Sequence, residues 1–281
     1  MALAFFFLFN RIMVPPRIIC LFCLTIIICV VSILVMEKFT DKKRIHLVIA
    51  RYNEDLDWLC DEKIKKILMN ESYKTSIYIY NKGVNNVTPK FIECYNNILD
   101  IHIIELPNVG RCDHTYLYHV IENYHNLPEV MIFLPASCSM EMKFAKAQYV
   151  IEKVYADAQS VFVIDNAVNI YDSMKDFSLS SWMSSFAANK INEDASMELA
   201  SPRPFGEWYT HTFGEAEKHR TGITYYGILA VSGEHARQRD IASYKQIIHH
   251  VETHQNPEAG HYIERSWSTI FKIPEDRKFV Q

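Results

Sequence analysis

Basic charge is not in excess here: 29 Lys and Arg stand against 33 Asp and Glu, for a net charge of −4. The sequence pI is about 6.3. Such a balance gives no global field for a polyphosphate backbone, and nucleic acid is excluded as a partner class. Internal repeats and low-complexity tracts are also missing, which argues against a solenoid or a long disordered tail. A third absence is local. Residues 18–36, IICLFCLTIIICVVSILVM, hold no charged side chain.

Nineteen uncharged apolar residues are enough to cross a bilayer as a helix. A cleaved signal peptide is the competing reading, but Val35-Met36-Glu37 lacks the small residues of a cleavage site. The preceding MALAFFFLF is interrupted by Asn10, Arg11, Pro15, Pro16 and Arg17, and reads as an interfacial tail. Arg11 and Arg17 before the span face Lys38, Lys42, Lys43 and Arg44 after it, so charge does not set the orientation. Two sequons do bear on it. Asn70-Glu-Ser72 and Asn86-Val-Thr88 can be glycosylated only in a lumenal domain, which makes the expectation a type II single-pass protein with its C-terminal domain in the ER or Golgi lumen. The expected organisation is a tail at 1–17, a membrane helix at 18–36, a short stem at 37–44 and one globular domain at 45–281. Of seven cysteines, Cys20, Cys23 and Cys29 fall in the span, and Cys60, Cys94, Cys112 and Cys138 are left to pair or stay free.

Beyond Arg44 short apolar runs alternate with helical patterns. RIHLVIA (44–50), SIYIYNK (76–82), IHIIEL (101–106), VMIFLP (130–135) and SVFVI (160–164) predict strands. EDLDWLCDEKIKKILM repeats Leu56, Leu59, Ile64, Ile67 and Leu68 at helical spacing, and HTYLYHVIENY predicts another helix. This alternation predicts an α/β domain with a mostly parallel sheet covered on both faces, and ligands beyond the carboxyl ends of the strands. Residues 166–222 predict short helices and irregular surface. A last strand and helices follow in ITYYGILAVSG, EHARQRDIASYKQIIHHVETH and HYIERSWSTIF.

The most informative local signal is LPNVGRCDHTYLYHV, where Gly110 allows a tight turn into a helix. Unpartnered N–H groups at a helix start favour an anion, and Arg111 and His114 would add charge or hydrogen bonds to a pyrophosphate. The alternative is a plain turn with Asp113 as cap and Arg111 solvated. His250 and His254 lie four apart in a predicted helix, with Glu258 and His261 behind, which is metal-ligand spacing or an ordinary surface face. Cys112 beside His114 is either a thiol nucleophile or a buried or paired cysteine.

VIARYNEDLDWL, IYIYNKG, LPNVGRCDHTYLYHVIENYHNLPEVMIFLPAS and GILAVSGEHARQRDIASYKQIIHHVETHQNPEAGHYIERSWSTIF together resemble a family known only as a domain of unknown function, DUF3431, over nearly all of 45–273. A second resemblance is to nucleotide-sugar glycosyltransferases of the GT-A fold, in the large inverting family-two type. VIARYNE matches their first strand and its turn, Asn108-Val-Gly110 their second turn, and VMIFLPAS the strand before their metal motif. This resemblance implies a GT-A-like, Rossmann-like domain that takes a nucleotide-sugar donor and a glycan or protein acceptor. It implies nucleotide and phosphate contacts from Arg51, Asn53, Glu54, Asn81, Asn108, Gly110, Arg111, His114 and Ser137. Glu264 would be the catalytic base that takes the acceptor proton; its alternative is a surface helix glutamate. The family's divalent metal, magnesium or manganese, would sit on an Asp-x-Asp, but here Pro135, Ala136, Ser137 and Cys138 stand in that place and Glu141 is the nearest carboxylate. Asn81-Lys82-Gly83 likewise replaces the family's acidic pair. Without metal, Arg51, Arg111 or Arg265 would balance the leaving diphosphate. The alternative function is a non-catalytic GT-A-like module that binds glycans or protein. A carboxylate near the turn at 108–111 favours the enzyme; a turn without one favours the module.

Overall fold

In the computed structural model, which describes residues 23, 25–29, 42–87, 89–95, 98–183 and 196–280, the predicted alternation becomes a five-stranded sheet. Strand β1 (Lys43–Arg51) is central, flanked by β2 (Tyr73–Asn81) and β4 (Val130–Pro135); β3 (Asp100–Glu105) lies beyond β2 and β8 (Leu229–Ser232) beyond β4. β1 pairs in parallel with β2 and β4, and β2 with β3, so Ala50 sits opposite both Tyr80 and Pro135. β8 runs antiparallel to β4. The predicted strand at 160–164 touches this sheet through Val161, which exchanges backbone hydrogen bonds with Ala230 of β8 at 2.9 Å. Its core, β5 (Phe162–Ile164), pairs instead with β9 (Lys278–Val280), while β6 (Asn166–Asn169) pairs with β7 (Thr221–Ile223).

Among the described residues of the globular unit the helices are, in chain order, α1 (Glu62–Leu68), α2 (Pro89–Tyr95), α3 (Arg111–Asn123), α4 (Glu141–Asp157), α5 (Ile170–Met174), α6 (Phe205–Phe213), α7 (Gly233–Arg237), α8 (Ile241–His249) and α9 (Glu258–Ile270). They cover both faces of the sheet, which is why its strands are apolar on both sides. Ile45, Leu47 and Ile49 of β1 pack with Ile64, Phe91 and Val150 from α1, α2 and α4. Val48 and Ala50 face the opposite way, onto Tyr116, Tyr244 and Trp267 from α3, α8 and α9.

Two expected helices are broken by acidic caps. The run from Glu54 to Met69 is a 3-10 turn at Asp57–Cys60 and then α1, because the Asp61 carboxylate accepts from the N–H groups of Lys63 and Ile64 and starts a new helix. Asp240 does the same before α8, accepting from Ser243 N–H at 2.8 Å. Asp55 Oδ1 accepts from Asp57 N–H at 3.2 Å.

Two compact units divide the chain at Lys42 and Lys43. The expected tail and membrane helix, 1–17 and 18–36, lie outside the described residues except for Cys23 and residues 25–29, which are helical and exposed. Among the described residues no helix is long and apolar enough to cross a membrane. Within the globular unit, chain order reverses beside β1: β2 and β3 build outward on one side and β4 on the other. Ligand crevices form at such a reversal, beyond the carboxyl ends of the strands.

Candidate functional site

At that reversal a cleft of about 390 Å³ opens, within the roughly 300–1,000 Å³ range of small-ligand pockets. Its floor is the end of β1 with Arg51, Tyr52 and Glu54, Lys82 after β2, and Pro135 and Ser137 after β4. Its walls come from Asn108 and the start of α3, from Lys143 of α4, and from Tyr226, Gln255, His261 and Glu264.

Gly110 makes the α3 wall possible. Its φ is +55°, and a Cβ there would meet the Val251 carbonyl at 2.2 Å. That contact presses residues 251–256 against the start of α3, and Gly110 N–H donates to the His254 carbonyl at 2.9 Å. Arg111 follows with φ 48°. Its guanidinium lies 3.9 Å over the Trp182 ring and donates from Nε and Nη2 to Asn256 Oδ1 at 3.1 and 2.8 Å. It is thus a fixed cation at the rim and not a solvated side chain. Asn108, on the same turn, is exposed and donates to Gln255 Oε1 at 3.3 Å.

Asp113 does not cap α3, whose first residue has no side-chain cap. It is buried at the base of the cleft, and its Oδ1 has no hydrogen-bond partner among the described residues. Burial, and then the charge of Glu264, push its carboxyl well above the usual range, against the opposing charges of Lys82 and Arg111. Glu264 is raised as well, chiefly by burial, with Arg265, Lys143 and Lys146 pulling the other way. Its Oε1 accepts from Tyr226 N–H at 3.0 Å. Tyr226 is held at φ 70°, a strained conformation for a residue with a Cβ, and its ring stays partly exposed at the cleft.

Lys82 is the buried cation. Its ammonium donates to the carbonyls of Val109, at 2.6 Å, and Arg111, and burial lowers its pKa to about 7. Lys143 donates to Ser137 Oγ at 2.8 Å. Lys146, one turn further on, is committed to Asp165, Thr224 and the Tyr225 carbonyl, and so fixes the loop that carries Tyr226.

Other expected contacts are spent on the scaffold. Arg51 lines the cleft, but its guanidinium donates to the carbonyls of Glu54, Asn85 and Asn86 and to Asn81 Oδ1. Asn81 donates to Gly83 O and to the Glu105 carboxylate. It does not line the cleft, and neither does Asn53, whose Oδ1 receives Asn85 N–H at 3.4 Å. Glu54 lines it while accepting from Tyr52 N–H at 2.7 Å. His114 is buried beside Tyr118, outside the cleft, and burial and Lys82 hold its pKa down at about 4. Arg265 lies behind the wall, over Phe177 at 4.1 Å and bonded to the His261 carbonyl.

The weak metal candidates do not converge. Helix α8 ends at His249, so His250 and His254 share no helix face; His250 packs edge-on against Trp208 and His254 Nδ1 accepts from Asn256 N–H at 3.0 Å. Glu258 is fully buried and accepts from the N–H groups of Leu179 and Ala200 and from Tyr262 Oη. Among the described residues, no three His, Cys, Asp or Glu side chains are grouped to hold a metal. The Cys112 thiol is pushed well up by burial and by Asp113, the opposite of an activated nucleophile. Cys60, Cys94, Cys112 and Cys138 are all free.

Residues 47–278 match the family described as Protein of unknown function (DUF3431). The chain belongs to that family. No curated protein matches this DUF3431 chain. Among solved structures it is similar to the mannosyltransferase PcManGT from Pyrobaculum calidifontis in complex with GDP-Man and Mn2+, at 11% identity and a TM-score of 0.32, over 86% of this chain and 57% of that one. A 4-diphosphocytidyl-2C-methyl-D-erythritol synthase matches at 11% identity and a TM-score of 0.29, over 74% of this chain and 86% of the other. The chain thus spans little more than half the length of the mannosyltransferase.

Of the cleft residues of this DUF3431 member, Lys143, Trp182 and Tyr226 carry no sequence signal, and Lys82, Asp113 and His261 signal other roles. Lys82 carried a usable signal, since a lysine between a buried strand and a glycine is an unusual place for a charge. Gly83 explains the burial, because a Cβ there would meet the Tyr52 carbonyl at 1.7 Å.

Proposed function

We propose that the chain is a membrane-anchored transferase that moves a sugar from a nucleotide-sugar donor to a hydroxyl of a glycan or protein. The observation that carries this reading is the position of Glu264. It shares the cleft with Asn108 and Arg111, beside Lys82 and Lys143, so that a proton acceptor and fixed cations face one space. A transfer of this type needs a carboxylate to take the acceptor proton and positive charge to stabilise the leaving diphosphate. Burial with a raised pKa brings Glu264 toward the range where a base works, and the Tyr226 N–H orients it.

For the donor, Arg111 and Lys82 supply charge at the diphosphate, and Glu54 at the floor and Asn108 at the rim supply polar contacts. Trp182 and Tyr226 offer ring faces for a base or sugar. The divalent metal of GT-A glycosyltransferases does not fit the turn after β4, where the Ser137 hydroxyl already receives the Lys143 ammonium. That turn favours a second reading, a glycan- or protein-binding module without catalysis.

The anchor at 18–36 and the lumenal orientation belong to the same proposal. They rest on the uncharged run and on the two sequon asparagines, Asn70 and Asn86, both exposed.

The test is a screen of the full chain in detergent against a panel of nucleotide sugars, with and without manganese, reading thermal shift and donor hydrolysis. Stabilisation plus hydrolysis by one donor supports the transferase; stabilisation by glycans with no effect of any nucleotide sugar supports the module.

A further inference from the structure

We propose that this cleft holds its anionic ligand through the ammonium groups of Lys82 and Lys143, without a divalent metal at the turn after β4; the proposal rests on the nucleotide-sugar reading above and names how its diphosphate is bound. Three independent observations lead there.

The first is the donor chemistry of the turn. A magnesium or manganese ion needs several oxygen ligands, usually including carboxylates. Here the Ala136 carbonyl accepts from the Trp58 indole N–H at 2.9 Å, and the Ser137 carbonyl accepts from Met140 N–H at 3.3 Å. The Ser137 hydroxyl accepts from Lys143 Nζ at 2.8 Å, and the Cys138 thiol is buried and pushed up away from the thiolate. Each of these three oxygens already has a donor, and one of those donors is itself a cation. A dication entering beside the Lys143 ammonium would meet like-charge repulsion.

The second is the state of the two deep carboxyl groups. Asp113 is buried and Glu264 partly so, and among the described residues neither belongs to a group of three side chains that could hold a metal. Glu264 also has its two oxygens turned to donors, Tyr226 N–H at 3.0 Å and the Arg265 guanidinium at 3.5 Å.

The third is the placement of the lysines. Lys82 is 8% exposed and gives two of its three N–H bonds to carbonyls, which leaves one for a ligand. Lys143 reaches the cleft from the far side, 5.9 Å from the Tyr226 ring centre. An ammonium on each side suits an anion with two charged ends, a diphosphate. Because Lys82 is poised near neutrality, an arriving dianion would draw a proton onto it, whereas metal-mediated binding would take up none there.

The experiment is isothermal titration of the full chain in detergent with UDP, GDP and inorganic pyrophosphate, in EDTA and again in manganese, at pH 8 in two buffers of different ionisation enthalpy. The expected result is an affinity in EDTA within about threefold of that in manganese, with proton uptake approaching one per site. Lys143→Ala should weaken binding in EDTA by about tenfold or more, as loss of a charge-assisted contact, and Lys143→Arg should keep most of it. Lys82→Met should abolish the proton uptake, and the partly exposed Lys143 gives a variant that folds even if Lys82→Met does not. Binding that requires manganese overturns this proposal and leaves the transfer reading standing, as does an intact Lys143→Ala protein with unchanged affinity. No binding of any of these ligands in either condition overturns both.

Discussion

The two sides of the cleft treat buried charge in opposite ways. On the β1–β2 side the Arg51 guanidinium meets three carbonyls and an amide oxygen, and Asn81 passes the chain of hydrogen bonds on to Glu105. On the α3–α9 side, Asp113 Oδ1 and His261 Nε2 are buried with no partner among the described residues, and Glu264 is ionisable in a desolvated place. Buried polar groups whose bonds are complete hold an architecture together. Buried polar groups left incomplete lower stability unless a ligand completes them, and they persist where function needs them. The difference separates residues that look alike in the sequence: Arg51 ends a strand and Arg111 follows one, yet the first ties two turns and the second stands at the rim of the cleft.

Breaking the satisfied side should have the largest effect on stability. Arg51→Ala strands the carbonyls of Asn85 and Asn86 and the Asn81 amide, at a cost of about 3 kcal/mol. Chemical denaturation should show it as a lower midpoint. Arg51→Lys should not restore it, since one ammonium cannot reach the same set of acceptors.

Acid probes a second buried network, made of histidines under the sheet. His46 Nδ1 lies 3.1 Å from His119 Nε2, and the Tyr80 hydroxyl 2.8 Å from His119 Nδ1. Burial, then Arg44 and His102, lower the His46 pKa to about 4, and burial puts His119 well below its ordinary value. The unfolded chain therefore binds more protons than the folded one between pH 6.5 and about 4. Stability is full above the unfolded value and is lost as pH falls through this window, by about 3 kcal/mol for His46 alone. Unfolding free energies at pH 7, 5.5 and 4.5 should fall steadily; a flat profile would mean that the histidines are charged or exposed.

On the other side of the cleft the effects should appear in binding. Arg111→Ala removes a charge-assisted contact worth roughly 1.5–3 kcal/mol, so nucleotide affinity should drop about tenfold or more. Its unfolding midpoint should move less than that of Arg51→Ala. An affinity unchanged in a folded protein would make Arg111 a clamp for Asn256 and Trp182 and nothing more.

The smallest effect has the most telling sign. Asp113→Asn replaces a buried carboxyl, raised in pKa and lacking a partner at Oδ1, with a neutral group of the same shape. Near pH 7 it should raise stability by about 1 kcal/mol while lowering activity, the exchange expected of a functional position. A loss of stability would instead place Asp113 among the scaffold residues.

Much of the fold was legible from its apolar runs. The strand runs gave the central sheet because buried parallel strands leave a continuous apolar signature, and Gly110 marked the turn because few other residues accept its φ or the approach of Val251. Glu264 and Arg111 both line the cleft. Arg51 and Asn81 also lie at strand ends, but their acceptors are in the turn at 85–86 and on β3, contacts that no local pattern encodes. Lys143 was hidden because a lysine on an amphipathic helix normally belongs to the solvated face, and Asp113 because an acid in a first turn normally caps. His250 and His254 looked paired only while the helix ran on past His249. In each case tertiary approach decided the role, and a single sequence records it poorly.

The most direct test of the central claim is to measure nucleotide-sugar turnover and nucleotide-diphosphate affinity side by side in the wild type and in Glu264→Gln. The amide keeps the shape and can still accept the Tyr226 N–H, but it cannot take a proton. The account predicts affinity within about threefold of wild type and turnover lower by about 10²–10⁴-fold, the contribution of a general base. Turnover unchanged in Glu264→Gln, or affinity lost in step with turnover, would contradict it.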